Sequence, residues 1–94
     1  VTREALLEQQ LSRAVKKAGG YCIKLPAAWY IGIPDRMLLL PGRVIFVELK
    51  TDKGRASLAQ KNWGSRLTKL GLTYLIIHGR DQLERFINET LSIP

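Results

Sequence analysis

Residues 43–50, Arg-Val-Ile-Phe-Val-Glu-Leu-Lys, constrain the fold more than any other stretch of this chain. Side chains alternate across a strand, so Val44, Phe46, Glu48 and Lys50 share one face while Ile45, Val47 and Leu49 share the other. Both faces are apolar through most of the segment, the pattern of a strand inside a sheet that is covered on both sides. A carboxylate and an ammonium near the end of such a strand carry a desolvation cost, and a placement of that kind calls for a function or a partner.

The flanking segments supply the layers that such a strand needs. Thr2 caps a first helix in which Leu7, Leu11, Ala14, Val15 and Ala18 recur at three- and four-residue spacing, and Gly19-Gly20 ends it. Residues 21–25 alternate and are rich in strand-favouring types, with Pro26 as their boundary. Residues 26–34 hold two prolines, Gly32 and the pair Trp29-Tyr30, and read as a connecting loop. A second strand over 35–40 joins 43–50 through the turn Pro41-Gly42, which makes the two an antiparallel hairpin. After a polar, basic loop at 51–56, Ser57 caps a second helix with Ala59, Trp63, Leu67 and Leu70 facing inward and Gly71 at its end. Residues 73–77 read as a fourth buried strand. Asp81 then opens a last helix whose Leu83, Phe86, Ile87 and Leu91 face inward. The order α-β-β-β-α-β-α predicts an α/β fold, a mixed β-sheet flanked by helices, in one domain over residues 1–94. The fourth strand, reached through a helix, lies parallel to the third by a right-handed crossover.

Charge narrows the partner. Fifteen Lys and Arg against eight Asp and Glu leave a net charge of +7 on 94 residues, a bias toward polyanions and toward nucleic acid above all. The bland alternative is a soluble basic domain with no such partner. The positive residues are spread along the chain rather than gathered in a tail. No apolar run approaches the length of a membrane span, and Thr2, Arg3, Glu4 and Glu8 interleave with leucines where a signal peptide would be apolar. An intracellular protein is expected. The lone Cys22 agrees, because one cysteine builds neither an internal disulfide nor a cysteine-based zinc site. Val1 in place of methionine points to a trimmed chain or an excised domain.

The chemistry gathers at one end of the hairpin. Asp35 begins one strand and Glu48 sits toward the end of the other, so antiparallel pairing brings the two carboxylates to the same end. Lys50 projects from the face of Glu48. Oxygen-rich sites of this type suit Mg2+ or Mn2+, which polarise a phosphodiester oxygen and lower the pKa of a bound water. Lysine can orient or help deprotonate the attacking water, or offset charge on phosphorus. For an isolated E-x-K a simpler reading wins: Glu48 and Lys50 pair with each other and Asp35 caps a turn. Here the pair ends an apolar strand and the preceding strand opens with Pro-Asp, which favours the site. His78 is the only histidine, so His-based nuclease and zinc mechanisms have no support. Trp29 and Tyr30 either stack on an unpaired base or pack under a loop or in a subunit contact, the second being the commoner use.

Gly32-Ile33-Pro34-Asp35-Arg36, then Phe46-Val47-Glu48-Leu49-Lys50, then Ser57 and Gln60, resembles the VRR-NUC branch of the PD-(D/E)xK nuclease superfamily. The resemblance covers most of the chain, from about Glu8 to the last strand. It implies a restriction-endonuclease-like fold, a divalent-metal site and cleavage of DNA phosphodiester bonds. On matching positions it implies that Asp35, Glu48 and the Leu49 carbonyl are metal ligands, that Lys50 is the catalytic lysine and that Gln60 is an active-site glutamine. Gln60 also completes a capping box with Ser57, and both roles can hold. Glu8 is similar to an acidic ligand that related resolvases carry on their first helix, although Glu4 lies one turn earlier and can fill the same place. Lys53 and Arg55, with Arg36 and Lys61, are the candidate DNA contacts, against a solvated loop as the bland reading.

Three classes of function compete. A metal-dependent DNA endonuclease explains the acidic-basic cluster, the charge and the fold pattern together. A non-catalytic nucleic-acid-binding module explains the charge but has no use for carboxylates beside a phosphate path. A purely structural domain predicts that Asp35, Glu48 and Lys50 are dispensable. Within nucleases, a bare domain of this size favours DNA shape over base sequence, and a homodimer with two opposed sites suits a four-way Holliday junction. The resemblance therefore implies a resolvase of bacterial or phage replication and repair, with a monomeric flap or nicking nuclease as the alternative.

Overall fold

A computed structural model describes residues 2–91. Four strands form one sheet in the order β1-β2-β3-β4, with β1 at Tyr21–Lys24, β2 at Arg36–Leu40, β3 at Arg43–Lys50 and β4 at Thr73–His78. The first three pair antiparallel, and β4 runs parallel to β3 after the crossover through helix α2, Leu58–Lys69. Helices α1, Arg3–Lys17, and α3, Gly79–Phe86, complete the predicted order, with a π-helical turn over Ile87–Leu91 continuing α3. The expected mixed sheet flanked by helices is thus what the chain forms.

The alternation along β3 divides the molecule. Ile45, Val47 and Leu49 are buried on the face that α1 and α3 cover, where Leu7, Leu11, Val15, Leu38, Ile77, Leu83, Phe86 and Leu91 complete the core. Val44, Phe46, Glu48 and Lys50 point to the other side, where α2 packs over β4 and covers the sheet only in part. Thr2 caps α1 by accepting from the Ala5 N–H at 3.0 Å, as its sequence position predicts.

Several local expectations change. Asp35 precedes β2 rather than opening it. β4 is an edge strand and mostly half-buried, not fully buried, because among the described residues no fifth strand lies beyond it in the sheet order. The last helix begins at Gly79, not Asp81: the chain turns at Gly79 with φ +74°, and the Gln82 side chain reaches back to accept from the His78 N–H at 2.8 Å. Leu70, expected on the inner stripe of α2, is 73% exposed. The buried positions of α2 are Leu67 and Gly64, whose missing side chain admits the ring of Tyr74; a Cβ there would stand 2.6 Å from Tyr74 Cδ2.

The loop between β1 and β2 is tied at both ends. The Leu25 N–H donates to the Asp35 carbonyl at 3.0 Å, and two turns inside it close through Trp29 N–H to Pro26 O and Ile33 N–H to Tyr30 O. Gly32, at φ +84°, presses on α2 so closely that a Cβ would stand 2.6 Å from the Ala59 carbonyl oxygen. Gly42, at φ +74° in the hairpin turn, has nothing within 4 Å of the same position. The two glycines therefore separate conformational strain from collision. Gly42→Ala is expected to cost about 1 kcal/mol in urea unfolding, and Gly32→Ala about 2–3 kcal/mol because backbone must also move.

Candidate active site

The hairpin register brings the acidic residues together. The last registered pair of β2 and β3 is Arg36 opposite Val47, so one further step sets Asp35 across from Glu48 on the α2 side of the sheet. Side chains of directly opposed residues lie within reach of each other, and like charges there repel. Asp35 is held in place by the Leu49 N–H, which donates to its Oδ2 at 3.0 Å. Lys50 follows two residues after Glu48, on the same face and half-buried, level with His78 of β4.

Glu48 is 1% exposed. Burial, then a side-chain hydrogen bond to Asp35 and the Asp35 charge, push its carboxyl up to about 9, while Lys50 pulls the other way. A carboxyl raised so far favours its protonated form at neutral pH. Glu48 Oε1 is buried and has no hydrogen-bond partner. The Tyr74 hydroxyl, on the same face, is likewise buried and unpartnered, and its ionisation is pushed up to about 12 by burial and then by the charges of Glu48 and Asp35.

The donor set fits a hard divalent cation. Two carboxylates opposed across a strand pair, with one buried oxygen left without a partner, offer what Mg2+ or Mn2+ takes from protein. Among the described residues no group of three or more His, Cys, Asp and Glu is placed to hold a metal ion.

The remaining candidates separate. Glu8 does not join the carboxylates: its Oε2 lies 3.0 Å from Nη2 of Arg36. In this structure Glu8 is thus taken by Arg36, and of the two acids on α1 it is Glu4 whose charge acts, as the weakest influence, on Glu48. Arg36, expected at the DNA, is 8% exposed; it points to the core side with Val47, where Glu8 and the Asp35 carbonyl, at 3.3 Å from Nη1, take its guanidinium. Alternation explains the correction, because the neighbour of an outward Asp35 must point inward. The hydrogen bonds of the Gln60 side chain are those of the capping box: its Oε1 accepts from the Ser57 N–H at 2.8 Å, and its own N–H donates to Ser57 Oγ at 3.2 Å. Lys53, Arg55 and Lys61 are exposed and free to meet solvent or phosphate. Tyr74 escaped the sequence reading, which took 73–77 as buried strand; parallel register with β3 was the signal that would have placed it beside Glu48.

The mixed sheet, with its antiparallel hairpin and parallel crossover, is a fold found in known proteins. The fold superposes on a solved VRR-NUC domain with a TM-score of 0.87, over 96% of this chain and 99% of that one, at 24% sequence identity. No family model matches the sequence. A protein of Acyrthosiphon pisum secondary endosymbiont phage 1, "Putative nuclease p44", is 34% identical over 80 residues, 84% of this chain and 86% of the phage protein. The chain belongs to the family of this phage nuclease relative and has the fold of a VRR-NUC domain.

The raised Glu48 carboxyl sets a pH dependence. Between about 4.5 and about 9 the folded chain holds on Glu48 a proton that the unfolded chain has released, so stability without metal falls as pH rises through that window. In EDTA, Glu48→Gln is expected to flatten this slope and to raise the melting temperature at pH 8; an unchanged slope would mean that Glu48 ionises freely.

Proposed function

We propose that this protein is a divalent-metal-dependent, structure-specific DNA endonuclease that works as a homodimer on Holliday junctions in replication or repair. The observation that carries the nuclease reading is the opposition of Asp35 and Glu48 at the end of an otherwise apolar strand pair, with Lys50 on the same face. The family and the fold of the VRR-NUC domain support it.

Asp35, Glu48 and the Leu49 carbonyl would hold the ion, Mg2+ or Mn2+. When bound, it supplies a Lewis acid for a phosphodiester oxygen and a water of lowered pKa. The Leu49 N–H fixes one oxygen of Asp35 and so limits how that carboxylate can turn. Glu48 would serve this ion as a carboxylate, one oxygen of which has no hydrogen-bond partner in the fold. Lys50 sets a positive charge beside the reacting phosphate, where it can orient the attacking water or offset charge on phosphorus. Lys53 and Arg55, in the loop that follows Lys50, and Lys61 on α2 provide exposed cations for the flanking backbone. Gln60, at the start of α2, is the family's further active-site candidate. No described helix is long and apolar enough to cross a membrane, which suits a protein that meets DNA inside a cell.

An apolar surface beside the site supports the dimer. Ile31 is 85% exposed and Leu58 74%, with Trp29 and Tyr30 also exposed. They form one region, because Gly32 rests on Ala59 and the Tyr30 ring meets Trp63 edge-on at 5.4 Å. Contiguous apolar exposure of this kind marks an interaction surface more often than bare monomer surface. A second copy related by a twofold axis would cover it and set two active sites against opposed strands.

Cleavage of labelled four-way junction, flap and linear duplex DNA in Mg2+, Mn2+ or EDTA tests the chemistry. Metal-dependent cutting is expected, with symmetric paired nicks in the junction, and Glu48→Ala and Lys50→Ala should each lower the rate by about 100-fold or more. Binding without cutting of any substrate would replace the enzyme with a binding module. Light scattering should report a dimer that Ile31→Asp converts to monomer; a wild-type monomer at micromolar concentration would sink the junction proposal and leave a nicking or flap nuclease.

A further inference from the structure

Among the described residues, two buried side-chain polar atoms lack a hydrogen-bond partner: Glu48 Oε1 and the Tyr74 hydroxyl. Buried polar groups are nearly always paired, so each such atom needs an explanation. These two lie on one face of adjacent strands. Phe46 stands opposite Tyr74 and Glu48 opposite Ile76 in the parallel β3–β4 register, which puts Tyr74 one diagonal step from Glu48. The charges of both Glu48 and Asp35 reach the phenol. Its ring has little freedom to withdraw toward α2, because the helix presents Gly64 there and a single added carbon would already collide with the ring.

The chemistry of the two atoms is complementary. A phenol donates one hydrogen bond and a carboxylate oxygen accepts, and a carboxylate oxygen in a buried place needs a donor. We propose that Tyr74 is a positioning residue for the nuclease site: in the metal-loaded site its hydroxyl donates to Oε1 of Glu48 and fixes how that carboxylate presents its other oxygen. The proposal rests on the metal-dependent reading above and adds to it a residue outside the acid pair and the lysine. Gly64 belongs to the same device, since it opens the slot that seats the ring.

Tyr74→Phe keeps the ring and removes only the hydroxyl. In EDTA its melting temperature is expected to equal that of the wild type or to exceed it by a few degrees, because the lost hydroxyl had no partner in the metal-free fold. Mn2+ affinity, measured by calorimetry without DNA, should weaken about 10-fold, the usual consequence of removing a group that orients a metal ligand. In Mg2+, kcat should fall about 10-fold with KM for DNA unchanged. Equal Mn2+ affinity and equal kcat in variant and wild type would overturn the role of Tyr74 while leaving the nuclease intact. A fall of several degrees in EDTA would also overturn it, by showing that the hydroxyl is bonded within the metal-free fold. A wild type that binds Mn2+ but cuts no DNA would remove the nuclease reading, and the affinity ratio would still decide for or against Tyr74. A wild type that binds no Mn2+ would overturn both.

Discussion

Asp35 and Glu48 face each other across two paired strands, and one of them is almost wholly removed from water. Burial, and then the like charge of Asp35, whose repulsion is strong at low dielectric, push the Glu48 carboxyl up. This opposition depends on register alone. A slip of one residue in the β2–β3 pairing would move Asp35 out of line with Glu48 and turn one strand's side chains to the wrong face. The tight turn at Pro41-Gly42 and the apolar residues of β3 hold the register against that repulsion, and the Leu49 N–H adds a direct tether to Asp35.

The same alternation keeps two sets of charges apart. Asp35 and Glu48 look toward α2, whereas Arg36, next in sequence, looks toward α1 and pairs with Glu8 at 3.0 Å. Arg36 is nearly buried, so its partner is obligatory: removing Glu8 would leave a cation without compensation. The guanidinium also reaches the Asp35 carbonyl, which the Leu25 N–H shares. Cys22 lies in this environment, its thiol pushed up by burial with Arg36 opposing. The peptide that presents the acid is thus fixed from the core side, while the acid itself remains on the working side.

Helix α2 joins the working side to the surface around it. Its first turn takes Gly32 of the aromatic loop, its middle takes the Tyr74 ring at Gly64, and Trp63 lies between the Tyr30 ring and the Arg66 guanidinium, 5.3 Å from the Trp63 ring centre. One helix therefore sets the position of the exposed loop and closes the space beside Glu48. The capping box of Ser57 and Gln60 determines where that helix begins.

Sequence by itself determined the element order, the antiparallel hairpin, the parallel fourth strand and the nomination of Asp35, Glu48 and Lys50, because hydrophobic period, turn residues and alternation are local properties that are read within a few positions. It also placed the caps of α1 and α2, which depend on side chains three residues away. Tertiary structure alone decided that Glu8 pairs with Arg36, that Arg36 turns inward, that Leu70 stays in solvent and that Tyr74 stands beside the acid pair. Each of these depends on how far a helix is rotated against the sheet or which residues of distant strands come level. Those quantities are set by packing between segments far apart in the chain, and no single segment carries them.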